Sequence, residues 1–258
     1  MLAVPPGLVY NTGAFLYERQ GGSMRYQAIM FDLDGTLLPM ELKGFAKAYF
    51  TALARELAPF GLQPEVVMKA VWGGTEAMIR NDGSRLNADA FWEVFTGLTG
   101  VERAAVEPVC DKFYSEGFHL ARAATGENPL AAEAVRAARA KADHVILATN
   151  PLFPMAGQRT RLSWLGLAPE DFDLVTCYSS DRFCKPNPAY YQDICSRMGL
   201  DPARCFMIGN DDREDMYAAQ AAGIPGYLVT DCRIPLAENP WQGAQGSFAD
   251  MVRMLNAL

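Results

Sequence analysis

Asp32 and Asp34 stand two apart in Asp32-Leu33-Asp34-Gly35-Thr36, directly after the apolar run Gln27–Phe31. In extended backbone, residues two apart point the same way, so both carboxylates can face one ligand. Asp32, at the end of a buried strand, is placed to attack phosphorus and form an aspartyl-phosphate. Asp34 is placed to protonate the leaving oxygen and then to deprotonate the water that hydrolyses the intermediate. Gly35 lets the backbone turn close to a phosphate, and Thr36 adds a hydroxyl. Thr149 and Asn150 offer hydrogen-bond donors for nonbridging oxygens, and Lys185 supplies positive charge for an anionic nucleophile and phosphoryl group. A last acidic stretch, Gly209-Asn210-Asp211-Asp212-Arg213-Glu214-Asp215, adds more carboxylates. Gathered acids repel unless a cation neutralises them, and oxygen ligands without nearby His or Cys select a hard ion such as Mg²⁺.

These groups converge only if particular elements bring them together. Five short apolar runs read as strands: 27–31, 144–148, 174–177, 205–208 and 227–229. Each is apolar nearly throughout, as strands buried on both faces of a parallel sheet must be. Helical patterns over 127–142, 190–198 and 215–222 alternate with them, the last stopped by Gly223 and Pro225. Pro151 suits the first turn of another helix after the second strand. This rhythm predicts an α/β fold with a doubly wound, Rossmann-like parallel sheet. Ligands then bind beyond the carboxyl ends of the strands, where all the groups above fall. Residues 39–129 break the rhythm, with apolar residues at helical spacing over 45–60, 65–80, 88–99 and 104–121. They predict a helical cap domain inserted after the first strand. The expected division is a leader over 1–23, an α/β core over 24–38 and 130–258, and the cap over 39–129. Gln20-Gly21-Gly22-Ser23 ends the leader, which makes Met24 the expected natural start.

The chain has 258 residues, with 23 Lys+Arg against 30 Asp+Glu, so its formal charge is −7 and it lacks the basic footprint of a general nucleic-acid binder. No apolar stretch reaches the roughly 18 residues of a membrane-spanning helix, and no membrane partner is expected. Six cysteines, none in a CxxC pair, read as reduced core residues and point to the cytoplasm.

Asp-Leu-Asp-Gly-Thr, then Thr-Asn, then Lys-Pro, then a Gly-Asn-Asp-centred acidic loop resemble the four ordered motifs of the haloacid-dehalogenase-like superfamily, from Ala28 to about Val229. The placing of the helical insertion resembles that family's cap. The resemblance implies Mg²⁺ held by the carboxylate of Asp32, the main-chain carbonyl of Asp34 and an acid of the fourth motif. The second Asp, at 34, resembles the phosphatase and phosphomutase members rather than the dehalogenases. One departure stands out: Asn210 occupies the first Asp place of the fourth motif. Asp211, with Asn210 beside it, is therefore expected to complete the metal shell, and Asp215 to support it from behind. The implied function is hydrolysis of a small phosphorylated metabolite. The alternatives are phosphoryl transfer within a sugar phosphate by a mutase and a non-catalytic phosphate-binding module.

Bland roles compete for several residues. Asp32 and Asp34 could cap a helix, as could Thr149 and Asn150, and Lys185 could be a solvated lysine. Asp212, Arg213 and Glu214 read as the charged first turn of a helix rather than ligands. His119 and His144 have no partner in sequence and read as structural or exposed. In the cap, Trp72-Gly73-Gly74-Thr75 resembles the glycine-containing specificity loop of helical-cap members, and Arg80 and Asn81 are candidates to hold a polar or acidic leaving group. Pro39 is the expected hinge-edge residue for cap closure.

Overall fold

In the computed structural model, residues 26–258 are described, together with the backbone of a hairpin made by β1 (Leu8–Asn11) and β2 (Ala14–Tyr17). The rest of the expected leader, including Gln20–Ser23, and the expected start at Met24 lie outside the described residues.

The main sheet contains β3 (Tyr26–Phe31), β4 (Ala142–Leu147), β5 (Leu174–Val175), β6 (Cys205–Gly209), β7 (Gly226–Val229) and β8 (Gln245–Gly246). Their order is β5-β4-β3-β6-β7-β8, and every neighbouring pair is parallel. Met30 pairs with Ile146 on one side and Met207 on the other, which puts β3 at the centre. Alternate residues feed two apolar layers. Ile29, Phe31, Val145, Leu147, Phe206 and Ile208 belong to one, and Ala28, Met30, Ile146, Cys205 and Met207 to the other. Helices cover both faces, which is why these strands show no polar alternation.

Helices α1 (Leu42–Leu57), α2 (Pro64–Ile79), α3 (Asn87–Thr99) and α4 (Arg103–Lys112) follow β3 and form the inserted cap. A π-helical turn over Phe113–Gly117 and a 3₁₀ stretch over Phe118–Ala124 continue α4, where 104–121 read as one helix. The core then supplies α5 (Ala131–Lys141), α6 (Met155–Ser163), α7 (Ala189–Met198), α8 (Ala218–Ala221) and α9 (Phe248–Ala257). The helix after the second strand begins four residues later than Pro151 suggests, with Pro154 at its N-cap. The two chain crossings into and out of the cap run side by side: Gly126 N–H donates to the Pro39 carbonyl at 2.7 Å, and Met40 pairs antiparallel with Thr125. Among the described residues, no helix is long and apolar enough to cross a membrane.

Candidate active site

The carboxyl end of β3 delivers Asp32 into a buried corner, where its Oδ1 accepts from Lys185 Nζ at 2.9 Å. Lys185 Nζ also donates to Asp215 Oδ1 at 2.6 Å. Residues 153 and 30 positions away from Lys185 thus meet on one ammonium, which is itself fully buried. Burial alone would lower the pKa of Lys185, but Asp215 and Asp32 hold it well above the ordinary value. Lys185 is therefore a fixed cation and not a solvated surface lysine.

Thr36 Oγ1 lies 3.2 Å from Asp32 Oδ2 and 3.0 Å from Asn210 Oδ1, so its hydroxyl ties β3 to the loop after β6. Asn210 Nδ2 donates to the Cys232 carbonyl at 2.7 Å, which engages both ends of its amide. Gly35 sits at φ +92°, and a Cβ there would stand 2.3 Å from Asn210 Nδ2. Only glycine fits both the left-handed backbone and the close approach. Gly209 answers a similar need: a Cβ would meet the Asp215 carboxylate at 2.3 Å. That carboxylate accepts from the amides of Asn210 and Asp211 through Oδ2 at 2.9 and 3.0 Å, while Oδ1 takes Lys185.

The acidic run divides its work. Asp211 Oδ1 caps the π-helical turn Asp212–Tyr217 by accepting from Arg213 N and Glu214 N at 2.7 and 2.8 Å. Asp212 points away into the core, where it accepts from Arg233 Nε and from the amides of Leu236 and Trp241. Glu214 accepts from Asn150 Nδ2 at 2.9 Å. Asn150 also accepts from Lys185 N at 3.2 Å, so its amide clamps the loops that carry Lys185 and Glu214. Thr149 is buried, and its carbonyl accepts from Thr176 Oγ1 and Tyr190 Oη at 2.6 and 2.9 Å.

Asp34 holds a partner that sequence reading missed. Its Oδ2 pairs with Arg161, a fully buried arginine of α6 that also binds Gln158 and stacks over Phe153 at 4.3 Å. Asp34 Oδ1 is buried with no hydrogen-bond partner. Nothing in sequence spacing joins residues 34 and 161; an Arg in a helix reads as solvated, and the one signal is the apolar Leu162 and Trp164 that follow it.

Asp32, Asp34, Thr149, Asn150, Asn210 and Asp211 all line one cavity of about 510 Å³, with Glu214 and Asp215 beside them. The cap supplies Trp72 and Thr75 to the same cavity. Gly73 and Arg80 do not line it. Trp72–Thr75 lies inside α2 rather than in a loop, and the glycines let α3 approach: a Cβ on Gly74 would stand 2.5 Å from Phe91. Arg80 is exposed and pairs with Glu76 at 2.6 Å, while Asn81 donates to Arg85 O and Asn87 Oδ1. Neither is directed at a leaving group. His119 accepts from Trp164 Nε1 at 2.9 Å, and His144 lies 3.9 Å from Asp173, both away from the site.

The donor set suits a hard divalent cation. Five carboxylates line one end of the cavity against two buried cations, Lys185 and Arg161, and one of their oxygens, Asp34 Oδ1, has no partner. Burial raises the pKa of Asp32 and of Asp211, and pushes Glu214 up to about 7. Burial thus disfavours the charged form of each of these three carboxyls. Among the described residues, no three acidic, thiol or imidazole side chains form a ready-made metal cluster. An ion here would draw remaining ligands from main chain, substrate and water.

Residues 26–223 match the model of the haloacid dehalogenase-like hydrolases. The chain belongs to this family. This haloacid dehalogenase-like hydrolase is 29% identical over 221 residues to the N-acetylmuramic acid 6-phosphate phosphatase of Pseudomonas aeruginosa, covering 84% of this chain and 87% of that one. Its fold is similar to a HAD phosphatase from Thermococcus onnurineus (TM-score 0.56, 17% identity, 89% of this chain and 97% of the other). It is equally similar to a 2-haloacid dehalogenase from Pseudomonas syringae (TM-score 0.57, 18% identity, 90% and 98%). One fold therefore serves two chemistries, and the site must decide between them.

Proposed function

We propose that this hydrolase cleaves a small phosphomonoester with Mg²⁺, using Asp32 as nucleophile. The observation that carries the reading is the meeting of Asp32, Lys185 and Asp215 at 2.9 and 2.6 Å, with Asp34 two residues on facing the same cavity. Lys185 holds Asp32 in place and offsets charge on the incoming phosphoryl group. Asp32 attacks phosphorus, and the bond to the leaving oxygen breaks with its electron pair going to that oxygen. Asp34 Oδ1, free of protein partners, donates the proton that the leaving oxygen takes up. Asp34 then removes a proton from water; the resulting hydroxide attacks phosphorus and frees Asp32. Mg²⁺ would be held by the Asp32 carboxylate, the Asp34 carbonyl and Asp211, with Asn210 beside it, and would draw charge from the phosphoryl oxygens. Gly35, Thr36, Thr149 and Asn150 shape the phosphoryl cradle.

Residues 24–38 and 130–258 would act as the catalytic core and 39–129 as the cap, a division supported by the side-by-side crossings at Pro39 and Gly126. The six free cysteines support work in the cytoplasm. The phosphatase action of the Pseudomonas aeruginosa relative supports ester hydrolysis over dehalogenation. Intact Asp32, Asp34 and Lys185 oppose a non-catalytic module.

The deciding experiment supplies 4-nitrophenyl phosphate with Mg²⁺ and measures released phosphate. Turnover should fall at least about 10³-fold in Asp32→Asn, as for loss of a covalent nucleophile. Equal rates in the variant would overturn the reading.

A further inference from the structure

The cavity that begins at Asp32 continues into the cap as an apolar, largely aromatic chamber. Phe50, Val71, Trp72, Phe91, Phe95 and Phe153 form its walls. Among the described residues that line it, none is Lys, Arg or His. Away from the phosphate-facing end, the polar side chains of its walls include Tyr49, Thr75, Trp92, Cys110, Tyr114 and Tyr178, and two of these are spent on each other, Tyr49 Oη and Tyr114 Oη lying 2.8 Å apart in a mutual hydrogen bond. Apolar residues also surround the opening. Leu42, Trp72 and Ile79 line the cavity and are 49%, 56% and 39% exposed, although each is a large hydrophobic side chain.

Such a chamber penalises a sugar. Every hydroxyl that leaves water without a new partner costs free energy, and apolar side chains make up most of these walls. An apolar group gains roughly what its buried area predicts, and aromatic walls add edge and face contacts with a ring. The volume, about 510 Å³, lies within the roughly 300–1,000 Å³ of small-molecule pockets. It exceeds the need of a phosphoryl group alone.

We infer that the substrate is a phosphomonoester of a hydrophobic alcohol or phenol, whose apolar leaving group fills the chamber between α1, α2 and α3 while its phosphoryl group meets Asp32. This inference rests on the phosphomonoesterase reading and narrows it. It replaces the polar leaving group that Arg80 and Asn81 suggest in sequence, and it sets this chain apart from the sugar phosphate named for its Pseudomonas aeruginosa relative.

The test measures kcat/KM with Mg²⁺ for ethyl, butyl and hexyl phosphate, 1-naphthyl phosphate and glucose 6-phosphate. Each added methylene should raise kcat/KM about fourfold until the chamber is full, the equivalent of about 0.8 kcal/mol. Naphthyl phosphate should exceed glucose 6-phosphate by about 100-fold, the scale on which an apolar pocket discriminates. Trp72→Ala, at an exposed position that leaves folding intact, should shrink the hexyl-to-ethyl ratio. A flat alkyl series, or a hexose phosphate cleaved as well as the naphthyl ester, would overturn the inference while leaving the phosphatase reading in place. If no ester is cleaved, the phosphatase reading fails, and calorimetric binding decides the chamber alone. Naphthyl phosphate binding at least tenfold tighter than inorganic phosphate sustains it, and equal affinity overturns it.

Discussion

The convergence of Asp32, Asp34 and Lys185 was legible because it lies in residue type, spacing and place after strand ends. Arg161 was not, because its role exists only once α6 packs against the loop after β3. Its guanidinium fixes one oxygen of Asp34 and leaves the other facing the cavity. Arg161→Met would leave a largely buried carboxylate unpaired, a loss of about 3–5 kcal/mol. The fork also orients Asp34, so Arg161→Lys should lower kcat at least tenfold with little change in KM, measured on an aryl phosphate. A purely structural role would move stability and not kcat. The surplus of buried acids gives a pH signature as well. Glu214 titrates near 7 instead of its ordinary 4.5, raised by burial, and Asp32 and Asp211 shift the same way. The folded state then holds protons that the unfolded chain releases, so stability falls as pH rises from about 4.5 through about 7. With EDTA, the melting temperature should drop by a few degrees between pH 5 and pH 7.5. Added Mg²⁺ should restore it at pH 7.5 and do little at pH 5, where protons occupy the same oxygens. An equal Mg²⁺ effect at both values would contradict this account.

At the scale of elements, the β3, β4, β6 and β7 strands and the cap helices α1 to α3 followed from apolar pattern, because both-face burial and helical spacing leave a trace in sequence. Strand β8 and helix α9 did not. Gln245–Gly246 has no strand character of its own and pairs only because β7 presents an open edge. Trp72-Gly73-Gly74-Thr75 resembles a loop in sequence, yet α2 runs through it because the two glycines make room for Phe91, Val94 and Leu98 of α3. The acidic loop is where one-dimensional reading failed most, since consecutive acids face three directions. Asp212 looks like a solvated first-turn charge, but it is fully buried and clamps residues 233–241 through Arg233, Leu236 N and Trp241 N. Asp212→Ala should therefore cost about 3–5 kcal/mol in urea denaturation, several buried donors losing one acceptor at about 1–3 kcal/mol each. Its Mg²⁺ affinity should fall less than that of Asp211→Ala. The reverse order would reassign the metal position to 212.

The cap and the core share one apolar layer, and that decides how the whole molecule unfolds. Phe45, Tyr49 and Leu53 of α1 belong to the same continuous cluster as Ile29, Val145 and Phe206 of the sheet. Phe153, on the loop before α6, meets Tyr49, Tyr114 and Phe118 with ring centroids 5.7, 6.0 and 5.8 Å apart. Thr160 of α6 donates to the Tyr114 carbonyl at 2.7 Å, which adds a polar tie across the same seam. A cap tethered only by its two crossings would melt by itself. One seated on a shared aromatic layer loses those contacts only when the core also opens, so calorimetry should record a single transition whose van't Hoff and calorimetric enthalpies agree. Phe153→Ala removes the central ring of the seam at a cost of about 3 kcal/mol and should lower the melting temperature of that one transition. Two resolved transitions in the unmodified protein would mean that the seam does not couple the parts, and that the chamber over Asp32 opens by release of the whole cap.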